Sequence, residues 1–168
     1  MKIFGIAGWK NSGKTTLVAG LLRELSSRGY LVSSVKHAHH AFDLDRPGKD
    51  SYAHREAGAS EVLIASHSRW ALMHELRGAG EPMLGALLAH MSPVDLVLVE
   101  GFKNEAHDKL EVRRGEASGP WLADSDPHIV AIAADAPVSA PGRAVFALND
   151  ITAIADFIVR HCELDRPP

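Results

Sequence analysis

Apolar positions open the chain at once: Ile3 to Ala7 form a short run that Gly8 ends, which predicts a buried strand. Thr15 to Arg28 then carry Leu17, Leu21, Leu22 and Leu25 at helical spacing, and Gly29 stands where such a helix stops. Leu31 to Val35 is a second short run, so the first 35 residues read as a β-α-β unit, and such units imply a parallel sheet. From His37 to Asp50 the periodicity is lost among His, Asp, Pro and Gly, which predicts a loop too polar to be core.

Further along, Ser51 to Ala57 predict a short helix, Glu61 to Ala65 and Trp70 to His74 two strands, and Pro82 to Met91 another helix. Val94 to Val99 has the unbroken apolar character of a central strand, with Glu100-Gly101 at its exit. Lys109 to Arg114 alternate charged and apolar positions and predict an edge strand, whereas Gly115 to Pro127 read as an excursion. Ile129 to Ala133 predict another buried strand. Asn149 or Asp150 can cap a last helix striped by Ile151, Ile154 and Ile158.

Strands alternating with helices predict an α/β protein: three layers, α/β/α, around a mostly parallel central sheet. A chain of 168 residues with 46% hydrophobic positions is one domain's worth, here residues 1–162, followed by a frayed tail over 163–168. Eighteen Lys and Arg against 21 Asp and Glu leave a formal charge of −3, which argues against general nucleic-acid binding. Cys162 has no second cysteine to pair with, and no run nears the roughly 18 apolar residues needed to span a bilayer, so a cytoplasmic protein without membrane partners is expected.

The chemistry centres on Gly8-Trp9-Lys10-Asn11-Ser12-Gly13-Lys14-Thr15. Glycine, four residues, glycine, lysine, then threonine, set between a strand and a helix, is the phosphate-loop pattern and implies a phosphate-loop NTPase fold. The glycines let backbone N–H groups face phosphate oxygens, and the positive end of the next helix adds its field. Gly8, Asn11, Ser12, Gly13, Lys14, Thr15 and Thr16 are thus expected to hold a nucleotide. In that role Lys14 reaches the β and γ phosphates, and the Thr15 hydroxyl takes one Mg²⁺ position.

Such a loop needs an acid on a neighbouring strand. Glu100 leaves the C-terminal end of its strand on the rim the loop occupies, whereas Asp95 falls at the opposite rim and reads as structural. Lys14 and Glu100 are therefore the expected catalytic pair. Lys36 ends the second strand on the same rim, positioned either for phosphate or for pairing with Glu100. His37, His39 and His40, with Asp43, Asp45 and Asp50 following, fit either a metal-binding cluster or a loop that answers to nucleotide and partner.

Taken together these motifs resemble the bacterial family of molybdopterin-guanine dinucleotide biosynthesis adaptor proteins. The resemblance rests on Asn11 to Thr16, Lys36 to His40 with Phe42, Asp45 to Ser51, Ala57-Gly58-Ala59, Val99 to Lys103, and Lys109 to Val112 with Arg114. It covers Gly8 to Arg114 and is loose beyond Gly115. It implies a homodimeric GTP-binding adaptor with weak GTPase activity, acting beside the guanylyltransferase that attaches GMP to molybdopterin, with Mg²⁺ and GTP as cofactors and molybdopterin as a further ligand. The chain is also similar to the dethiobiotin synthetase class, and that likeness makes Lys36 a phosphate contact and Asp50 and Glu100 metal ligands beside Thr15. The extra lysine of related dimeric ATPases would fall at Trp9, with Lys10 displaced by one, so their cross-subunit mechanism does not transfer.

On this reading His37, His39, His40, Asp45 and Lys49 belong to a segment that senses the phosphate state and faces a partner or substrate. Two rivals follow from the same residues: a GTP-dependent metallochaperone using His37 to His40, and a small-molecule kinase or ATP-driven ligase using the loop.

Overall fold

The computed structural model describes residues 1–38, 42–115 and 119–165. The chain divides into two compact units, one of Met1–His37 with Met91–Pro168 and one of Ala38–His90.

The first unit is built on a six-stranded sheet. Its strands are β1 (Lys2–Ala7), β2 (Val32–Lys36), β5 (Leu96–Glu100), β6 (Lys109–Arg113), β7 (Ile129–Ala134) and β8 (Ala144–Ala147), in the order β2-β5-β1-β6-β7-β8. Every pairing in it is parallel. The helices α1 (Lys14–Ser27) and α4 (Ile151–His161) pack on one face, where Leu17, Leu21, Leu25, Ile154 and Ile158 meet Phe4, Ile6, Leu96, Leu98, Leu110 and Val112. Asp150 caps α4 by accepting from the Ala153 N–H at 3.1 Å. The opposite face is covered by the segment around a short 3-10 helix, Leu122–Asp124, whose Ala123 packs with Ala7, Ile129, Ile132 and Ala134. This is an α/β fold with the mostly parallel sheet that the alternation of strands and helices predicts.

One expectation for this unit is corrected and one element is added. β6 is not an edge strand: it lies between β1 and β7, with Lys109 and Glu111 both fully buried. Alternating charge normally marks a solvated face, but here each charge has a partner inside. The Lys109 ammonium meets Asp126 at 3.0 Å. Glu111 accepts from the Leu122 and Ala123 N–H groups and from Arg113, at 3.0 to 3.1 Å. The true edges are β2 and β8, and β8 is an addition to the predicted elements.

His107 lies just before β6, against Gly5 and Lys109, and both of its ring nitrogens are buried without a hydrogen-bond partner. Burial, followed by the Lys109 charge, pushes its pKa from 6.5 down to about 4; Glu105 and Asp126 oppose the shift and His128 adds to it. The folded chain thus refuses a proton that the unfolded chain accepts below pH 6.5. Stability attributable to this ring is complete above that pH and is lost as the pH falls toward 4. His107→Leu is expected to flatten the fall in denaturation midpoint across that window; an identical slope in the variant would remove the assignment.

The second unit contains α2 (Asp50–Glu56), the antiparallel pair β3 (Glu61–Ala65) and β4 (Trp70–His74), and α3 (Leu84–Leu88). α3 is half the length expected from Pro82 to Met91, because only Leu84 and Leu88, one turn apart, find burial. Arg55 on α2 is clasped by Asp43 at 3.0 Å and Glu75 at 3.2 Å. On the hairpin only Val62 and Met73 are buried, while Leu63, Ile64, Trp70 and Leu72 are exposed. Trp70 is 63% exposed. Among the described residues no helix is long and apolar enough to cross a membrane.

Candidate functional site

The parallel register sets the site's geometry. Lys36, Glu100 and Ile6 stand side by side at the C-terminal ends of β2, β5 and β1, and the Gly8 to Gly13 loop leaves β1 one residue later. That loop enters α1 directly. The backbone is in the left-handed region at Gly8 (φ +147°), Asn11 (φ +64°) and Gly13 (φ +98°), the residue that precedes the helix. Glycine is required at position 8, since a Cβ there would fall 2.7 Å from the Val112 carbonyl oxygen and 2.8 Å from Ser12 Oγ. The first bond of the helix runs from Leu17 N–H to Gly13 O at 3.0 Å, so the N–H groups of the opening turn have no acceptor within the helix and converge with its positive dipole end.

Four side chains gather there. The Thr15 hydroxyl donates to Glu100 Oε1 at 2.7 Å. Lys36 Nζ lies 3.3 Å from both Thr15 Oγ1 and Glu100 Oε1. Lys14 Nζ donates to the Trp9 carbonyl at 2.7 Å, curling back over the loop. Burial holds the Lys14 ammonium below the usual lysine range; Glu100 works against this, and the like charges of Lys36 and Lys103 add to it. Glu100 is almost wholly buried, and so is Ser12, whose Oγ has no hydrogen-bond partner.

These residues fit the groups the sequence implies. A hydroxyl and a carboxylate 2.7 Å apart are the hard oxygen donors that Mg²⁺ prefers. An unpartnered buried hydroxyl, a loop shaped by positive φ and an excess of lysine charge match an anion's acceptor oxygens.

Beside α1 lies a cavity of about 500 Å³, lined by Gly13, Thr16, Arg23, Leu148 and Asn149 together with Asp135. Asp135 accepts from the Gly115 N–H at 3.0 Å, which fixes the carboxylate on the cavity wall. On the far side of the loop is a second cavity of about 540 Å³, with Trp9, Lys103, Trp121 and Asp126 among its walls. Its indoles are already covered: Lys103 sits over Trp9 at 4.6 Å and the Arg113 guanidinium over Trp121 at 4.3 Å.

The remaining predicted residues are distributed as follows. Asp95 accepts from the Leu31 N–H at 2.7 Å, at the rim opposite the loop. The His37 N–H donates to the Glu100 carbonyl at 2.8 Å, and its ring packs on Phe102 at 4.7 Å. Asp45, Lys49 and Asp50 belong to the second unit, where Asp50 opens α2 and the Asp45 N–H donates to Asp43 at 3.0 Å. His39 and His40 lie outside the described residues. Among the described residues no group of three or more His, Cys, Asp or Glu side chains is arranged to hold a metal. Sequence reasoning missed Lys103 and Glu111. Lys103 is visible only as part of the Val99 to Lys103 motif, and nothing in the spacing brings it to Trp9.

Comparison with known proteins places this architecture. The model of the family described as molybdopterin guanine dinucleotide synthesis protein B matches residues 3–135. The chain is 41% identical to the molybdopterin-guanine dinucleotide biosynthesis adapter protein of Escherichia coli (strain K12) over 160 residues, which cover 94% of this chain and 91% of that relative. It is also 41% identical to the protein of the same description from Haemophilus influenzae, over 93% of this chain and 86% of the relative. Among solved structures, a MobB homolog from Bacillus stearothermophilus superposes with a TM-score of 0.74 at 26% identity, covering 97% of this chain and 99% of the other. A crystal structure of molybdopterin-guanine biosynthesis protein B gives a TM-score of 0.76 at 28% identity, covering 96% and 99%. With the family model running from the opening strand to the end of β7, and two relatives aligned over nearly their full length, the chain belongs to the molybdopterin guanine dinucleotide synthesis protein B family.

Proposed function

We propose that this chain is an adaptor in molybdopterin guanine dinucleotide biosynthesis that binds GTP with Mg²⁺ and hydrolyses it slowly, working beside the guanylyltransferase that attaches GMP to molybdopterin. The adaptor role is supported by the names of the relatives. The nucleotide reading is carried by one observation: Lys14, Thr15, Lys36 and Glu100 meet at the open end of α1.

In the proposed cycle Lys14 leaves the Trp9 carbonyl for the β and γ phosphates, the opening N–H groups of α1 take phosphate oxygens, and Thr15 with Glu100 would hold the cation. Mg²⁺ would neutralise charge on the transferring phosphoryl group. On this reading hydrolysis is slow because Glu100, the acid at this rim, is taken up by the cation and by Lys36 rather than free to orient water. The Asp135 carboxylate and the Asn149 amide, on one cavity wall beside Thr16, supply the acceptor and donor types that a guanine edge needs.

His37 ties the start of the 37–51 segment to the Glu100 carbonyl, which supports a segment that senses the phosphate state. The exposed apolar face of β3 and β4, with Leu63 opposite Leu72, supports a homodimer in which a second copy covers it. The absence of a membrane-crossing helix among the described residues is compatible with a cytoplasmic site of action.

The direct test is a Mg²⁺ titration of fluorescent GTP-analogue binding to wild type and Glu100→Gln. The variant is expected to need about tenfold more Mg²⁺ for half-maximal binding, since a neutral amide replaces a charged oxygen donor. Equal Mg²⁺ dependence would remove Glu100 from the metal site. A GTP affinity no greater than that for ATP would remove the guanine assignment.

A further inference from the structure

The chain leaving β5 turns through two successive left-handed residues, Gly101 at φ +93° and Phe102 at φ +45°. Glycine is needed at the first, because a Cβ there would fall 2.8 Å from His37 Cβ. At the second a bulky aromatic residue holds a conformation that side chains avoid, and such strain persists only where the surroundings over-determine it. Here they do: the Phe102 ring is buried and packs on the His37 ring at 4.7 Å.

The consequence of this turn is the placement of the next residue. Lys103 is carried back over the loop, with Nζ 4.6 Å from the centre of the Trp9 ring. Trp9 is a fixed platform, its Nε1–H donating to the Pro120 carbonyl at 2.8 Å and its ring lying against Gly119. Lys103 itself is exposed, and Lys14 Nζ donates to the carbonyl of the same Trp9 at 2.7 Å. An exposed cation over an indole is held weakly, whereas an ammonium on a phosphate oxygen makes a charge-assisted hydrogen bond roughly twice as strong as a neutral one.

We infer that Lys103 is a second phosphate-binding lysine of the triphosphate site, parked on Trp9 and transferring to the terminal phosphate of a bound nucleoside triphosphate. This rests on the reading of the loop as a triphosphate site. It assigns Lys103 to the end of the triphosphate beyond Lys14 and makes the Gly101-Phe102 turn the device that positions it.

The test is calorimetric affinity for Mg·GTP and Mg·GDP in wild type, Lys103→Met and Lys103→Arg, with circular dichroism to confirm folding. Lys103→Met is expected to weaken GTP about 10- to 100-fold and GDP by less than about threefold, while Lys103→Arg keeps most of the GTP affinity. Unchanged GTP affinity in Lys103→Met, or equal losses for GTP and GDP, would overturn the inference while leaving the triphosphate site standing. Wild type that binds neither nucleotide would overturn the triphosphate site itself, and the role of Lys103 with it.

Discussion

Lys14→Ala is expected to weaken GTP by about 3–4 kcal/mol, a few hundred-fold, while leaving the melting temperature nearly unchanged. The proposed contacts are two charge-assisted hydrogen bonds to phosphate oxygens, each worth about 1.5–3 kcal/mol. Lys14 makes a bond to the Trp9 carbonyl, on a loop whose course is already set by Gly8 and Gly13, so its removal costs the fold little. Titration calorimetry paired with a thermal melt separates the two effects. Equal GTP affinity in the variant would contradict the assignment of the loop, and a large fall in melting temperature would mean that Lys14 supports structure.

The largest expected loss of stability comes from a residue that touches no proposed ligand. Glu111 is wholly buried in β6, with Oε1 accepting from Arg113 and Leu122 and Oε2 accepting from the Ala123 N–H. Glu111→Ala leaves two backbone N–H groups and a guanidinium without that acceptor in a dry interior. Breaking a buried charged pair from one side costs about 3–5 kcal/mol. At roughly 2–4 °C per kcal/mol for a chain of this size, the midpoint should fall by about 10 °C. Glu111→Gln should fall between the two, because it keeps one acceptor oxygen and turns an NH₂ group toward another donor. A Glu111→Ala midpoint within about 2 °C of wild type would show that the carboxylate does not strut β6 against the 3-10 segment.

That same residue marks where the sequence stops being legible. Lys109-Leu110-Glu111-Val112-Arg113 has the alternation of a half-solvated strand, and period alone cannot tell solvent from an internal set of partners. The partners, Asp126 and the amides of Leu122 and Ala123, come from the excursion after Gly115, which has no periodicity to read. Local signals fared better. Leu17, Leu21 and Leu25 announce the buried stripe of α1, and the two strands of the hairpin end where their patterning ends. Register is non-local, so the order β2-β5-β1, which brings Lys36 beside Glu100, depends on pairing that no single segment encodes. Glu100 could be preferred to Asp95 as the rim acid because strand direction in a parallel sheet fixes which end meets the loop. Lys103 could not be found this way, since its position over Trp9 depends on two positive-φ residues in succession.

The most direct measurement is a crystal structure of the protein with a non-hydrolysable GTP analogue and Mg²⁺. The account predicts phosphate oxygens on the opening N–H groups of α1 and on Lys14, the cation on Thr15 and Glu100, and guanine beside Asp135 and Asn149. Nucleotide bound elsewhere, with the Gly8 to Gly13 loop empty and Lys14 still on the Trp9 carbonyl, would contradict it.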